Sequence, residues 1–131
     1  VDINKGVLKT GLKNHQINSI PTNDISFLSY DVLSAFNRLK RKIKADIVII
    51  DPPSMQSSFN IFKHYEKIVS KLPFILNKNA TIIATANHPE FSKEMLKSLF
   101  KEYNLIKEIP PSGEYKNSSL KVLVFSAYYM H

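Results

Sequence analysis

The chain is expected to fold as an α/β protein: a mostly parallel sheet, helices on both faces, and an antiparallel last strand. Three observations lead there. Apolar runs with strand character alternate along the chain with segments of helical periodicity. One of those runs, Ile47-Val48-Ile49-Ile50, is four consecutive β-branched residues, the mark of a strand buried on both faces at the centre of a parallel sheet. The last two strands are joined by a loop rather than a helix, which favours antiparallel pairing.

Taken in order, Val1-Asp2-Ile3-Asn4 reads as the tail of a strand, with Asp2 or Asn4 placed to cap the helix that follows. From Lys5 to Ile17, the residues Val7, Leu8, Gly11, Leu12 and His15 share one helical face. Gly11 costs a helix interior up to ~1 kcal/mol relative to alanine, which points to close packing on a sheet. Asn18 to Asp24 is a loop, and Ile25 to Tyr30 reads as a short strand closed by Asp31. Val32, Leu33, Phe36, Leu39 and Ile43 then define a second helix. Arg38, Lys40, Arg41, Lys42 and Lys44 crowd its end. Cations there either complement the helix dipole on a wet face or contact nucleic acid.

The central run stops at Asp51, where Pro52 and Pro53 forbid both helix and further sheet pairing. A carboxylate is thereby held on a stiff turn at the carboxyl end of a strand, the edge at which α/β sheets bind ligands. The bland alternative is a turn or helix-capping residue. Ser54 to Asn60 is a polar connection carrying Met55 and Phe59 as isolated apolar residues. Phe62, Tyr65, Ile68, Val69 and Leu72 mark a third helix that ends near Pro73. Ala80 to Ala86 is the next buried strand, closed by Asn87-His88-Pro89. Phe91, Met95, Leu96, Leu99 and Phe100 line a fourth helix. Tyr103 to Ile109 and Leu120 to Tyr128 are the last strands. Between them, Pro110-Pro111-Ser112-Gly113 opens either a lid or a plain loop.

Composition narrows the function. A length of 131 residues fits one domain, 1–131, and 44% hydrophobic with 22% charged residues is ordinary for a globular chain. Cysteine is absent, which removes a disulfide framework, a thiolate metal site and a cysteine nucleophile. No apolar run approaches the ~20 residues needed to cross a bilayer. The first residues do not form a signal peptide, so no membrane is expected and the location is expected to be cytoplasmic. The net charge of +7 leans towards polyanions, nucleic acid among them. His15, His64, His88 and His131 show no ligand spacing with acids, so no metal is expected. His15 is read as a packing residue, His88 as part of a turn, and Lys121 as an outward residue of an edge strand. An apolar strand ending in an acid also suits the magnesium-binding strand of an ATPase, but no Gly-Lys-Ser/Thr phosphate loop exists in this chain.

Three acids occupy equivalent places, each just after a strand: Asp2, Asp31 and Asp51. In a doubly wound sheet such residues surround one crevice, and an acid after the second strand suits the hydroxyl pair of a ribose.

The stretches Val1-Asp2-Ile3-Asn4-Lys5-Gly6-Val7-Leu8-Lys9, with Asn14 and Asn18, then Tyr30-Asp31, Asp51-Pro52-Pro53-Ser54 and Leu120-Lys121-Val122-Leu123-Val124-Phe125, carry a resemblance. Over essentially its whole length the chain resembles the later part of a class I S-adenosylmethionine-dependent methyltransferase. It is similar to bacterial families that resemble large-subunit ribosomal RNA methyltransferases. The resemblance implies a Rossmann-like methyltransferase sheet whose first strand and glycine-rich loop are missing, since Gly6, Gly11 and Gly113 form no such loop. It implies S-adenosyl-L-methionine as cofactor, with Asp2 on the ribose and Asp31 with Val32 on the adenine. Asp51, Pro52 and Pro53 would face the methyl group and the target base, Asp51 touching the cofactor side as well. Ser54, Phe59 and Asn87 would lie on the substrate side. Relatives often carry an aromatic directly after Asp-Pro-Pro-Ser, where this chain has Met55. Phe59 either replaces that aromatic as a stacking residue or covers the sheet edge.

Methyl transfer from a sulfonium is an in-line displacement, so positioning supplies most of the catalysis. Methylating carbon 5 of a pyrimidine needs a thiolate to attack the ring first. The absence of cysteine therefore directs the expectation to a nitrogen, on guanine or adenine, in ribosomal RNA. Two rivals stand beside it: a methyltransferase acting on a small molecule or protein, and a non-catalytic RNA-binding remnant.

Overall fold

The computed structural model describes residues 1–56, 59–115 and 117–128; His131 lies outside them. They form two compact units, 1–41 and 42–131.

The first unit holds two helices. Helix α1 (Lys5–Ile17) is capped by Asn4, whose side chain accepts from the N–H groups of Gly6 and Val7. Gly11 does mark a close approach, but to a ring rather than a sheet: a Cβ there would stand 3.0 Å from Phe27 Cε1. His15 packs edge-on against the same ring, with Nδ1 2.9 Å from the Gly11 carbonyl. The strand expected from Ile25 to Tyr30 reduces to a single parallel bridge between Asp2 and Ser29. Helix α2 (Val32–Leu39) starts on Asp31 and buries Ala35, Phe36 and Leu39. It ends before Ile43, and of the basic cluster Arg38 lies over the Tyr30 ring at 5.0 Å, a cation–π contact.

The second unit is a four-stranded sheet in the order β1-β4-β6-β5 beside a two-stranded hairpin β2-β3. The strands are β1 (Ala45–Ile50), β2 (Met55–Gln56), β3 (Phe59–Asn60), β4 (Leu76–Asn87), β5 (Asn104–Ile109) and β6 (Leu120–Ser126). The helices are α3 (Ile61–Val69) and α4 (Lys93–Leu99). Strands β1 and β4 are parallel, and β6 inserts antiparallel between β4 and β5. The stretch read as a plain polar connection, Ser54 to Asn60, contains the small antiparallel hairpin.

One expectation is overturned. Among the described residues strand β1 stands at an edge of its sheet rather than at the centre, and Ile47 and Ile49 are 65% and 67% exposed. Among the described residues of this unit, side chains of α3 and α4 cover the face opposite Ile47 and Ile49. There Tyr65, Phe91, Phe100 and Phe125 meet ring to ring, with Phe100 stacked on Phe125 at 4.6 Å. Ile82, Ala84, Leu123 and Leu96 complete that core.

Candidate functional site

In the second unit, Asp51 follows the last residue of β1 and is exposed. It caps no helix, because α3 takes its cap from Asn60. Its carboxylate instead meets a neighbouring strand. Ile50 pairs with Ala84, so Asp51 falls beside Thr85, and the Thr85 hydroxyl donates to Asp51 Oδ1 at 2.5 Å. Pro52 and Pro53 supply no N–H to continue the ladder. The Thr85 carbonyl takes its hydrogen from the Tyr65 hydroxyl at 2.9 Å. Tyr65 is fully buried on α3. Burial pushes its phenol pKa well above the ordinary value, the Asp51 charge adds to that shift, and the bond to the Thr85 carbonyl opposes it.

The turn after the prolines is tied to the end of β4. Ser54 donates through Oγ to the Asn87 carbonyl, and the Ser54 carbonyl accepts from Ile61 N at 3.3 Å. The Asn87 side-chain oxygen accepts from Ser119 Oγ at 2.7 Å, which brings the start of β6 to the same edge. Lys121 is neither simply outward nor on an edge strand: β6 lies between β4 and β5, and the ammonium donates to the His88 carbonyl at 2.7 Å. His88 Nδ1 accepts from Glu90 N at 3.2 Å, and the Phe62 ring meets the imidazole edge-on. Asp51, Ser54 and Asn87 are thus gathered at one sheet edge, with Pro52 and Pro53 half-buried between them. Phe59 is placed differently from Ser54 and Asn87. It is 7% exposed, its ring 5.5 Å from that of His64, whereas Met55 at the base of the hairpin is 67% exposed.

The first unit brings Asp2 and the Asp31 segment together. Asp2 N donates to the Leu28 carbonyl at 3.1 Å, and the Asp2–Ser29 bridge lies two residues before Asp31. Both carboxylates are exposed, each with one oxygen on a main-chain N–H: Asn4 N at 2.7 Å for Asp2, Leu33 N at 3.3 Å for Asp31. Val32, the first residue of α2, is half-buried. Each of the two exposed acids keeps acceptor capacity for hydroxyl or amino groups of a ligand. Among the described residues, no three His, Asp or Glu side chains group where they could hold a metal ion. No helix of the described residues is long and apolar enough to cross a membrane.

Thr85, Tyr65, Ser119 and the inward role of Lys121 escape sequence reading. Thr85 alone leaves a trace there, as a hydroxyl between Ala84 and Ala86 at the end of a buried strand.

Comparison with known proteins assigns the family. Residues 1–109 match the model of the S-adenosylmethionine-dependent methyltransferase family. Over 97 residues the chain is 28% identical to a ribosomal RNA large subunit methyltransferase K/L of Buchnera aphidicola (subspecies Acyrthosiphon pisum), covering 70% of this chain and 14% of that protein. A solved structure assigned as a methyltransferase and complexed with SAH superimposes with a TM-score of 0.86 at 21% identity, covering 95% of this chain and 37% of that one. A second, assigned as a SAM-dependent methyltransferase from Streptococcus mutans, gives 0.83 at 22% identity and covers 95% and 36%. The chain therefore spans only about a seventh of the curated relative and little more than a third of these structures. By its sequence match over most of its length, the chain belongs to the S-adenosylmethionine-dependent methyltransferases.

Proposed function

We propose that the chain is the later part of one catalytic domain, 1–131, of a cytoplasmic enzyme that methylates a nitrogen of a purine in ribosomal RNA. The observation that carries this reading is Asp51: an exposed carboxylate hydrogen-bonded to Thr85, fixed between a strand and two prolines. S-adenosylmethionine supplies an electrophilic methyl group when bound. Asp2 is assigned to its ribose hydroxyls, and Asp31 with Val32 to its adenine. Asp51 and the Pro52 carbonyl accept hydrogen bonds from the amino group of the base, which orients the nitrogen lone pair towards the methyl. The two rigid prolines keep those acceptors in place, and pre-organised acceptors need no rearrangement at the moment of transfer.

Ser54 and Asn87, joined by a hydrogen bond, are assigned to the substrate side. Of the two roles open to Phe59, stacking on the base or covering the sheet edge, its buried ring favours the second, and the exposed Met55 is the side chain assigned to the substrate side. RNA as partner is supported by the name of the Buchnera relative and by the +7 charge. The absence of cysteine favours nitrogen over carbon 5 of a pyrimidine.

Transfer of labelled methyl to an unmodified ribosomal RNA transcript tests the proposal. Asp51→Ala is expected to abolish transfer while cofactor affinity stays within a few fold. Lost cofactor binding with residual transfer contradicts the role given to Asp51. Calorimetry with S-adenosylmethionine separates the enzyme from a non-catalytic RNA-binding protein, which would bind the transcript and give no heat with cofactor.

A further inference from the structure

Two hydrogen bonds centre on Thr85, a residue to which neither family resemblance nor composition draws attention. Asp51 stands at the exposed end of β1, and no salt bridge reaches it among the described residues. Left alone, such a side chain samples several rotamers, because an aspartate turns freely about χ1 and χ2. An ionised carboxylate only accepts hydrogen bonds, so in the Thr85–Asp51 contact the hydroxyl donates. Threonine is β-branched and stiff at χ1, and its strand is held in register on both sides. Thr85 pairs with Val122 of β6, and its neighbour Ala84 pairs with Ile50 of β1. Its carbonyl is held by the hydroxyl of the fully buried Tyr65. Thr85 is thus held at its backbone by Tyr65 from the core, while its side-chain hydroxyl donates to the exposed acid.

We propose that Thr85 is a positioning residue for methyl transfer. Its hydroxyl occupies Oδ1 and holds Asp51 in one rotamer, so that Oδ2 is the oxygen offered to the substrate nitrogen. Tyr65 holds the Thr85 backbone and so acts one step further back. This rests on the role given to Asp51 above, and it adds how that acid is aimed.

Thr85→Val removes the donor and preserves the shape; Thr85→Ser restores the donor. Three-bond couplings of the Asp51 side chain, read by NMR on the full chain, are expected to show one χ1 rotamer in the wild type and the serine variant. In the valine variant they average over several. With an unmodified ribosomal RNA transcript as the probe, Thr85→Val lowers kcat by about 10- to 100-fold, the range a misplaced catalytic group costs. KM for the transcript stays within about twofold, because the contact aims a group rather than binding RNA. Serine recovers most of the rate. Should the valine chain fail to fold, Thr85→Ala provides the same comparison.

A single Asp51 rotamer in a folded variant lacking the hydroxyl would overturn the proposal, as would methyl transfer at the wild-type rate. If the complete enzyme carrying wild-type Thr85 does not methylate the transcript, the substrate reading falls, and the couplings still decide whether Thr85 orients Asp51.

Discussion

The two faces of the four-stranded sheet are built from the same kind of residue and serve different ends. On one face Ile50, Ile82, Ala84, Ala86, Leu123 and Phe125 are all buried, at 0–7% exposure. On the other, Ile47 and Ile49 are mostly exposed and Ile83, Val122 and Val124 half-buried. The register explains the division: Ile82 pairs with Phe125 and Ala84 with Leu123 on the first face, Ile83 with Val124 and Thr85 with Val122 on the second. Asp51 lies two residues beyond Ile49 and so shares the second face with Thr85. The helix-covered face forms the core of this unit. The other face carries the acid to which the chemistry is assigned.

The largest expected effect tests the covered face. Phe125→Ala removes the ring stacked on Phe100 and is expected to cost about 3–5 kcal/mol in urea unfolding. A loss below about 1 kcal/mol would mean that this face is not the stabilising one.

Next comes the residue that reaches from the covered face to the backbone of β4. Tyr65→Phe leaves the Thr85 carbonyl without its donor and is expected to cost about 1–3 kcal/mol. It also changes the response to alkali. The folded Tyr65 phenol has a raised pKa, so the unfolded chain ionises first, at the ordinary value of 10.0. Stability from this residue is complete below that pH and declines as pH rises through it. The phenylalanine variant loses that part of the alkaline decline, which unfolding curves on either side of pH 10.0 would measure.

On the open face, Ile49→Thr is expected to change stability by less than about 0.5 kcal/mol, as for most exposed positions. A cost comparable to that of Phe125→Ala would show the two faces to be equally buried in solution. The smallest effect belongs to the surface. Hydrogen bonds from Lys93 and then Lys97 hold the Glu108 carboxyl below its ordinary pKa of 4.5. The stability linked to it is present above that pH and is lost as pH falls through the lowered value. Glu108→Gln removes this acid-side dependence, with little change at neutral pH because the pair is exposed.

Much of the fold was legible because it is local. Apolar periodicity placed α1, α3, α4 and the four main strands, and Asn4, Asp31 and Asn60 cap helices as short polar side chains do before an apolar run. The misreadings are as instructive. A run such as Ile47 to Ile50 marks a strand without saying which of its faces is covered, because β-branched residues suit a pleated surface in either case. Ile25 to Tyr30 had strand composition, yet its pairing is confined to one bridge at Ser29. Met55 to Asn60 offered no periodicity long enough to reveal a two-residue hairpin.

For the candidate site, the sequence by itself determined that an acid must stand at the end of β1. A buried-type strand cannot continue through Asp51-Pro52-Pro53, since proline removes the donors that pairing requires. Only the tertiary structure decided which group meets that acid. Thr85 lies 34 residues away, and it reaches Asp51 because β1 and β4 pair in one particular parallel register. A slip of one residue would turn its hydroxyl to the opposite face, and that register is chosen by the packing of the covered face rather than by any local preference of the residues at the site.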